Sequence, residues 1–167
     1  MKDILTRLSS DKKRIAWLAE ETAALTGLEQ FPQYLTLLFE VDALFLNDDR
    51  HLNNIAVLEK GGQFDYCPIF DNGAGLLSNV QMAPMDIDPA ALIRSAKARP
   101  FNTTFNRQVI HARNLYGPQF HIPKFTEEAL RRELEEPLSY YVQRDRGFIA
   151  DRVCQTILTR QKEHNKE

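Results

Sequence analysis

Cysteine is scarce in this chain: Cys67 and Cys154 are its two, far apart and without metal-ligand neighbours. That spacing argues against a thiolate metal site and leaves buried free thiols as the reading, Cys67 in an expected strand and Cys154 in an apolar helical stripe. No apolar run approaches the roughly 18 residues of a membrane span. The opening Met1-Lys2-Asp3-Ile4 lacks the basic-then-apolar plan of a secretory leader. The expectation is a cytoplasmic protein without membrane contact. Surplus positive charge is missing as well. At a net charge of −2 the chain does not read as a polyanion binder, so no direct nucleic-acid binding is expected. Its basic clusters, Lys12-Lys13-Arg14 and Arg131-Arg132, sit beside acids on expected helices and read as solvated faces. No internal repeat or low-complexity linker divides the 167 residues, and one domain over 1–167 is expected.

Helical signals dominate what is present. Ser10 reads as the cap of a helix over 11–26, with Ile15, Leu18, Ala19 and Thr22 along one side and Gly27 as its stop. Pro32 opens a second helix, over about 33–46, whose apolar residues wrap most of the circumference and so predict burial on all sides. Residues 55–58 and 63–69 read as two strands joined by a turn at Gly61-Gly62. Beyond them the chain predicts four more helices. The first is capped by Asp86 or Asp88 and runs through Ala98; the second is capped by Asn102 and stopped by Gly117-Pro118. The third opens at Thr126, with Glu127 and Glu128 in its first turn. The last spans about 144–162, carrying Phe148, Ile149, Val153, Ile157 and Leu158, before a polar tail expected to fray. The fold class that follows is α+β, mainly helical, around one small hairpin.

Between the buried helix and the end of the hairpin lies the chemistry. Asn47-Asp48-Asp49-Arg50-His51-Leu52-Asn53-Asn54 places an Asp and, five positions later, an Asn. Asp71, seventeen positions beyond, opens Asp71-Asn72-Gly73. Each piece alone is an ordinary turn sequence. Together they have the order of a phosphoryl-transfer site: a proton-accepting Asp, then two oxygen ligands for Mg²⁺. The two strands return the chain so that Asp71 comes back beside Asn54, and Gly73 and Gly75 give backbone freedom for the loop that follows. Asp48 reads as a loop neighbour, its spacing to the Asn being six. His51 reads as a brace for the loop rather than a metal ligand, because hard cations favour oxygen. Arg50 is open between touching phosphate and pairing with a carboxylate, and Asn47 reads as a bridge between loop backbone groups.

The pattern Asn-x-Asp-Arg-His-x-x-Asn over Asn47–Asn54, with Pro68-Ile69-Phe70-Asp71-Asn72-Gly73, resembles the catalytic core of the HipA-like serine/threonine kinases, including the CtkA-type kinases. The lipid-kinase superfamily shares a similar core. Ala98-Arg99-Pro100-Phe101 is similar to a stretch that follows the catalytic residues in CtkA-like members. The resemblance covers about 10–160 and implies a kinase carboxyl-terminal lobe with a small catalytic β-hairpin. It implies Asp49 as catalytic base and Asn54 and Asp71 as Mg²⁺ ligands. Asn47, Arg50, His51 and Gly73 support the loop, and ATP is the phosphoryl donor.

Nothing in this sequence resembles that family's amino-terminal lobe: no Gly-rich loop precedes Asp49, and Lys2, Lys12 and Lys13 lie at terminal or solvent-facing positions. No nucleotide-binding residues are assigned. Three readings stay open. In one, a separate chain supplies the missing lobe to an active protein kinase, whose substrate is a protein Ser or Thr. In another, the lobe is catalytically silent and serves as a protein-binding or regulatory module. In the third, it acts unaided on a phosphorylated or nucleotide ligand with Mg²⁺, as a hydrolase or transferase.

Overall fold

The computed structural model describes residues 2–164; the fraying polar tail expected at the carboxyl end lies mostly outside the described residues. Its elements, in order, are α1 (Lys2–Arg7), α2 (Asp11–Thr26), α3 (Phe31–Phe45), a 3₁₀ turn (Leu52–Asn54), β1 (Val57–Lys60) and β2 (Gln63–Tyr66). Then come α4 (Pro89–Ser95), α5 (Phe105–Tyr116), α6 (Glu127–Ser139) and α7 (Gln143–His164). The architecture is mainly helical with one two-stranded antiparallel sheet. No helix among the described residues is long and apolar enough to cross a membrane.

Local chemistry sets most boundaries where the sequence placed them. Ser10 Oγ accepts from the Lys13 backbone N–H at 3.3 Å, and Gly27 ends α2 in the left-handed conformation at φ 75°. Thr126 caps α6 by accepting from Ala129 N–H at 3.2 Å, with Glu127 and Glu128 in the first turn. Gly61 and Gly62, at φ 62° and 81°, make the tight turn that pairs Val57 with Tyr66 and Lys60 with Gln63.

Other boundaries move, each for a visible reason. The return strand ends at Tyr66 rather than at residue 69, because Pro68 has no N–H to give a ladder, so Cys67 lies just past the strand. Helix α4 stops at Ser95, not Ala98; Ala98 instead pairs with Thr103 in an antiparallel bridge. Asn102 is not the cap of α5. It sits at φ 57° in the turn that closes this bridge, and Thr104 caps the helix by accepting from Arg107 N–H at 3.3 Å. On α7 the inward stripe is Ala150, Cys154 and Ile157, while Phe148 points out and is 67% exposed. The short α1 has no counterpart in the sequence reading.

Helix α3 is the axis. Phe31, Leu35, Leu38 and Phe39 pack with Ile15, Leu18 and Ala19 of α2 and Ala112 of α5. Ala43 and Leu46 join Ile93, Phe105 and Val109, and Leu44 meets Leu130, Cys154 and Ile157. Each buried Leu, Ile, Val or Phe among these contributes about 1.5–3 kcal/mol relative to exposure. The helix is buried over most of its circumference, as expected, but Phe45 at its end is exposed, and Glu40 and Asp42 are buried in it along with the apolar residues. Glu40 accepts from Arg113 Nε at 2.6 Å and from the Gln119 backbone N–H at 3.1 Å.

Candidate active site

Helix α3 ends one residue before the motif. Leu46 adopts the left-handed conformation at φ 53°, the Asn47 N–H reaches back to Asp42 O at 2.9 Å, and the chain turns into the 47–54 loop. Asn47 is buried and bridges as the sequence suggested. Its Nδ2 donates to Asp42 Oδ1 at 3.0 Å and to Asp71 O at 3.4 Å, and its Oδ1 accepts from Asp49 N–H at 3.3 Å. One amide thus connects the helix end, the loop and the segment after the hairpin.

Arg50 is fully buried, and its two open roles resolve. Nε and Nη2 donate to the two oxygens of Asp42 at 2.9 and 3.0 Å. Nη2 also donates to Asn72 Oδ1 at 2.7 Å, while Nη1 donates to Asn54 O at 3.1 Å and Phe70 O at 2.5 Å. A guanidinium has five N–H donors. All are taken, so Arg50 has none left for a phosphate. Burial pushes the Asp42 carboxyl pKa up, against the pull of Arg50 and Asn47 in the other direction. Sequence reasoning missed Asp42. Its signal was there: an acid in a helix whose apolar residues wrap most of the circumference, eight positions before the arginine.

Around this buried hub the three motif residues meet. Asn54 is 6% exposed; its Nδ2 donates to Asp71 Oδ2 at 2.5 Å and to Asp49 O at 3.2 Å. Asp71 stands at φ 55°, a conformation that disfavours any residue with a Cβ, although Asp tolerates it better than most. The hydrogen bond to Asn54 is one return on holding it there. Asp49, His51 and Asp71 are exposed, and each offers a ligand atom within 4.8 Å of the others. The His51 ring also lies 3.4 Å from Asn54 Nδ2, in the bracing position.

The flanking glycines divide differently from the expectation. Gly73 has no positive φ, and a Cβ there would meet open space, so the site does not depend on its backbone freedom. Gly75 is required by proximity instead. A Cβ on it would lie 3.2 Å from both Asn72 O and Phe45 O, where the loop is tied to the end of α3 by Leu76 N–H to Phe45 O at 2.6 Å.

No family model, curated protein or solved structure matches this chain. The site is therefore judged on its donor set. Two carboxylates and an amide, with an imidazole beside them, suit a hard divalent cation such as Mg²⁺. Asn54 now presents Nδ2 to Asp71. To share a cation with that carboxylate it must present Oδ1, a turn of the carboxamide rather than of the backbone. Beside Asp49 opens a cleft of about 630 Å³, bordered also by His51, Leu52, Arg99 and Phe101. The Arg99–Phe101 segment thus borders the same place as the motif.

Proposed function

We propose that this chain is the catalytic, carboxyl-terminal lobe of an ATP-dependent serine/threonine protein kinase of the HipA/CtkA-like kind. The observation that carries the reading is the contact between Asn54 and Asp71, 2.5 Å apart across the hairpin, with Asp49 beside both. That is the juxtaposition phosphoryl transfer requires of residues in this order. Asn54 and Asp71 would hold Mg²⁺, which when bound with ATP offsets the charge on the phosphates. Asp49 is the exposed carboxylate of the group without a side-chain bond to Asn54. It orients the acceptor hydroxyl and takes its proton. Arg50 and Asn47 do not touch reactants in this reading. They fix the loop that carries Asp49 to the segment that carries Asp71.

Among the described residues the strands are β1 and β2, so cover over the nucleotide would come from other polypeptide, such as a partner chain that supplies the amino-terminal lobe. Phe70, 39% exposed next to Asp71, offers apolar surface for it. The exposure of Asp49, His51 and Asp71 together favours a second reading, a silent lobe that binds protein partners. Thermal unfolding with and without Mg·ATP separates the two. A nucleotide held by the folded lobe adds about 2.7 kcal/mol at a hundredfold excess over its dissociation constant. The first reading expects that shift in the wild type and its loss in Asp71→Ala. An equal shift in both removes Asp71 from the site, and no shift in the wild type favours the second reading.

A further inference from the structure

We propose that the cleft beside Asp49 is an acceptor-peptide site that reads acidic side chains, with Arg99 as the reading residue. The assignment of Asp49 as base rests on the kinase reading above; the charge preference of the cleft does not.

Position is the first argument. Asp49 and His51 border the cleft, whereas Asn54 and Asp71 do not. A donor nucleotide held through Asn54 and Asp71 therefore approaches Asp49 from outside the cleft, which leaves the cleft for the acceptor. Its volume of about 630 Å³ suits a small ligand or a few residues of peptide.

Charge is the second. Arg14 and Arg99 both border the cleft. Arg14 is already engaged, by Leu5 O and Asp11 Oδ1 at 3.0 Å each, and Arg107 shares the same Asp11 at 3.8 Å. One carboxylate serves two guanidiniums there. Arg99 is exposed, and among the described residues its side chain makes no hydrogen bond and no ion pair. Asp48, which feels its charge, does not border this cleft. Among the residues that border the cleft, Arg14 and Arg99 stand against the one carboxylate of Asp49, and of the two guanidiniums Arg99 is the unengaged one.

Rigidity is the third. The backbone that carries Arg99 is pinned while its head is free. Ala98 and Thr103 exchange backbone hydrogen bonds at 2.7 and 3.3 Å, and the buried Gln108 donates to Arg99 O at 2.9 Å. Phe101, beside it, is seated edge-on against Phe39 with ring centroids 6.2 Å apart. An anchored cation next to a fixed aromatic wall selects a ligand with both an acidic and an apolar side chain. In a protein substrate that is a Ser or Thr flanked by apolar and acidic residues.

The test needs no turnover. Short fluorescent peptides with a central serine, leucines beside it and either glutamate, glutamine or lysine at the ends are titrated by anisotropy without nucleotide. The wild type, Arg99→Ala and Arg99→Glu are compared, with circular dichroism to verify their fold. The glutamate peptide should bind the wild type about threefold to fivefold tighter than the glutamine peptide, the scale of one partly exposed ion pair. Arg99→Ala should erase that preference, and Arg99→Glu should reverse it in favour of lysine. Equal binding of all three peptides, no binding of any, or indifference to both substitutions overturns the proposal. So does displacement of the glutamate peptide by free triphosphate, which would assign the cleft to the nucleotide. Charge-selective binding without a Mg·ATP shift counts against the kinase reading alone; a Mg·ATP shift without charge selection counts against this cleft alone.

Discussion

Arg50 closes on Asp42 through two parallel bonds, Nε to Oδ2 at 2.9 Å and Nη2 to Oδ1 at 3.0 Å, with both side chains shut off from water. The pair joins the last turn of α3 to the loop that carries Asp49. Because the other Arg50 donors reach Asn54, Phe70 and Asn72, one side chain sets the spacing between the two halves of the candidate site.

Arg50→Lys leaves a charge but removes the fork. A single ammonium cannot serve both Asp42 oxygens and the three other acceptors, so buried groups lose partners. The expected loss of unfolding free energy is about 3–5 kcal/mol, read by urea titration. A loss below about 1 kcal/mol, the scale of an exposed pair, would remove the hub from the account.

Asp71 is held at φ 55°. Asp71→Gly relieves that conformation but takes the carboxylate acceptor from the buried Asn54 amide, so stability should change by less than about 1 kcal/mol, while Mg²⁺-dependent ATP binding is lost. The paired readout is denaturant midpoint and nucleotide titration on one sample. A glycine variant that still binds Mg·ATP as the wild type does would show that the carboxylate is not a ligand.

Asp49→Ala is expected to behave differently. Nucleotide binding should survive, whereas phosphoryl transfer in a reconstituted complex should fall by about 100-fold or more, as loss of a general base does. Radiolabel transfer to a serine peptide measures it, and equal turnover would overturn the assignment as base.

Two glycines two positions apart should differ sharply. At Gly75 an added methyl meets the backbone oxygens of Asn72 and Phe45 at 3.2 Å, and backbone gives way poorly, so Gly75→Ala should cost about 1–3 kcal/mol. Gly73→Ala meets open space and should sit within about 0.5 kcal/mol of the wild type. Similar midpoints for the two variants would contradict the packing of this loop on α3.

His164 titrates low. Burial first, and then the Arg113 guanidinium 2.6 Å from its Nε2, hold its pKa down to about 4. Since the unfolded chain binds that proton near pH 6.5, stability from this group is complete above pH 6.5 and is lost as pH falls towards 4. Half-exposed as the ring is, about 1 kcal/mol is expected. Urea midpoints at both ends of that window should differ less in His164→Gln than in the wild type. Parallel pH dependences would exclude the histidine as their source.

The helix starts at Ser10 and Thr126, the stop at Gly27 and the Gly61-Gly62 turn were legible because caps and tight turns are decided by residues within one turn of chain. Asn102 misled for the same reason. It is a good cap locally, but the Ala98–Thr103 bridge claimed it for a turn and left Thr104 to begin α5. Of the apolar residues read on the last helix, Ile157, Val153 and Leu158 pack on the core with Cys154, whereas Phe148 stays exposed, because the neighbours of α7 and not apolarity decide which side is covered.

At the candidate site the same division holds. Residue order and spacing were enough to single out Asp49, Asn54 and Asp71, since a buried helix, a loop and a hairpin leave few places for them to go. Sequence left Arg50 open between phosphate and carboxylate, passed over Asp42, and read Gly75 as backbone freedom where close approach to Asn72 O and Phe45 O is what requires it. Those roles are long-range: which acceptors surround a guanidinium, and which backbone a glycine touches, depend on how α3 and the 70–76 segment pack. A chain specifies its turns and its chemical groups locally. Which of those groups face water, and which spend their hydrogen bonds on one another, is decided only when the core excludes the solvent.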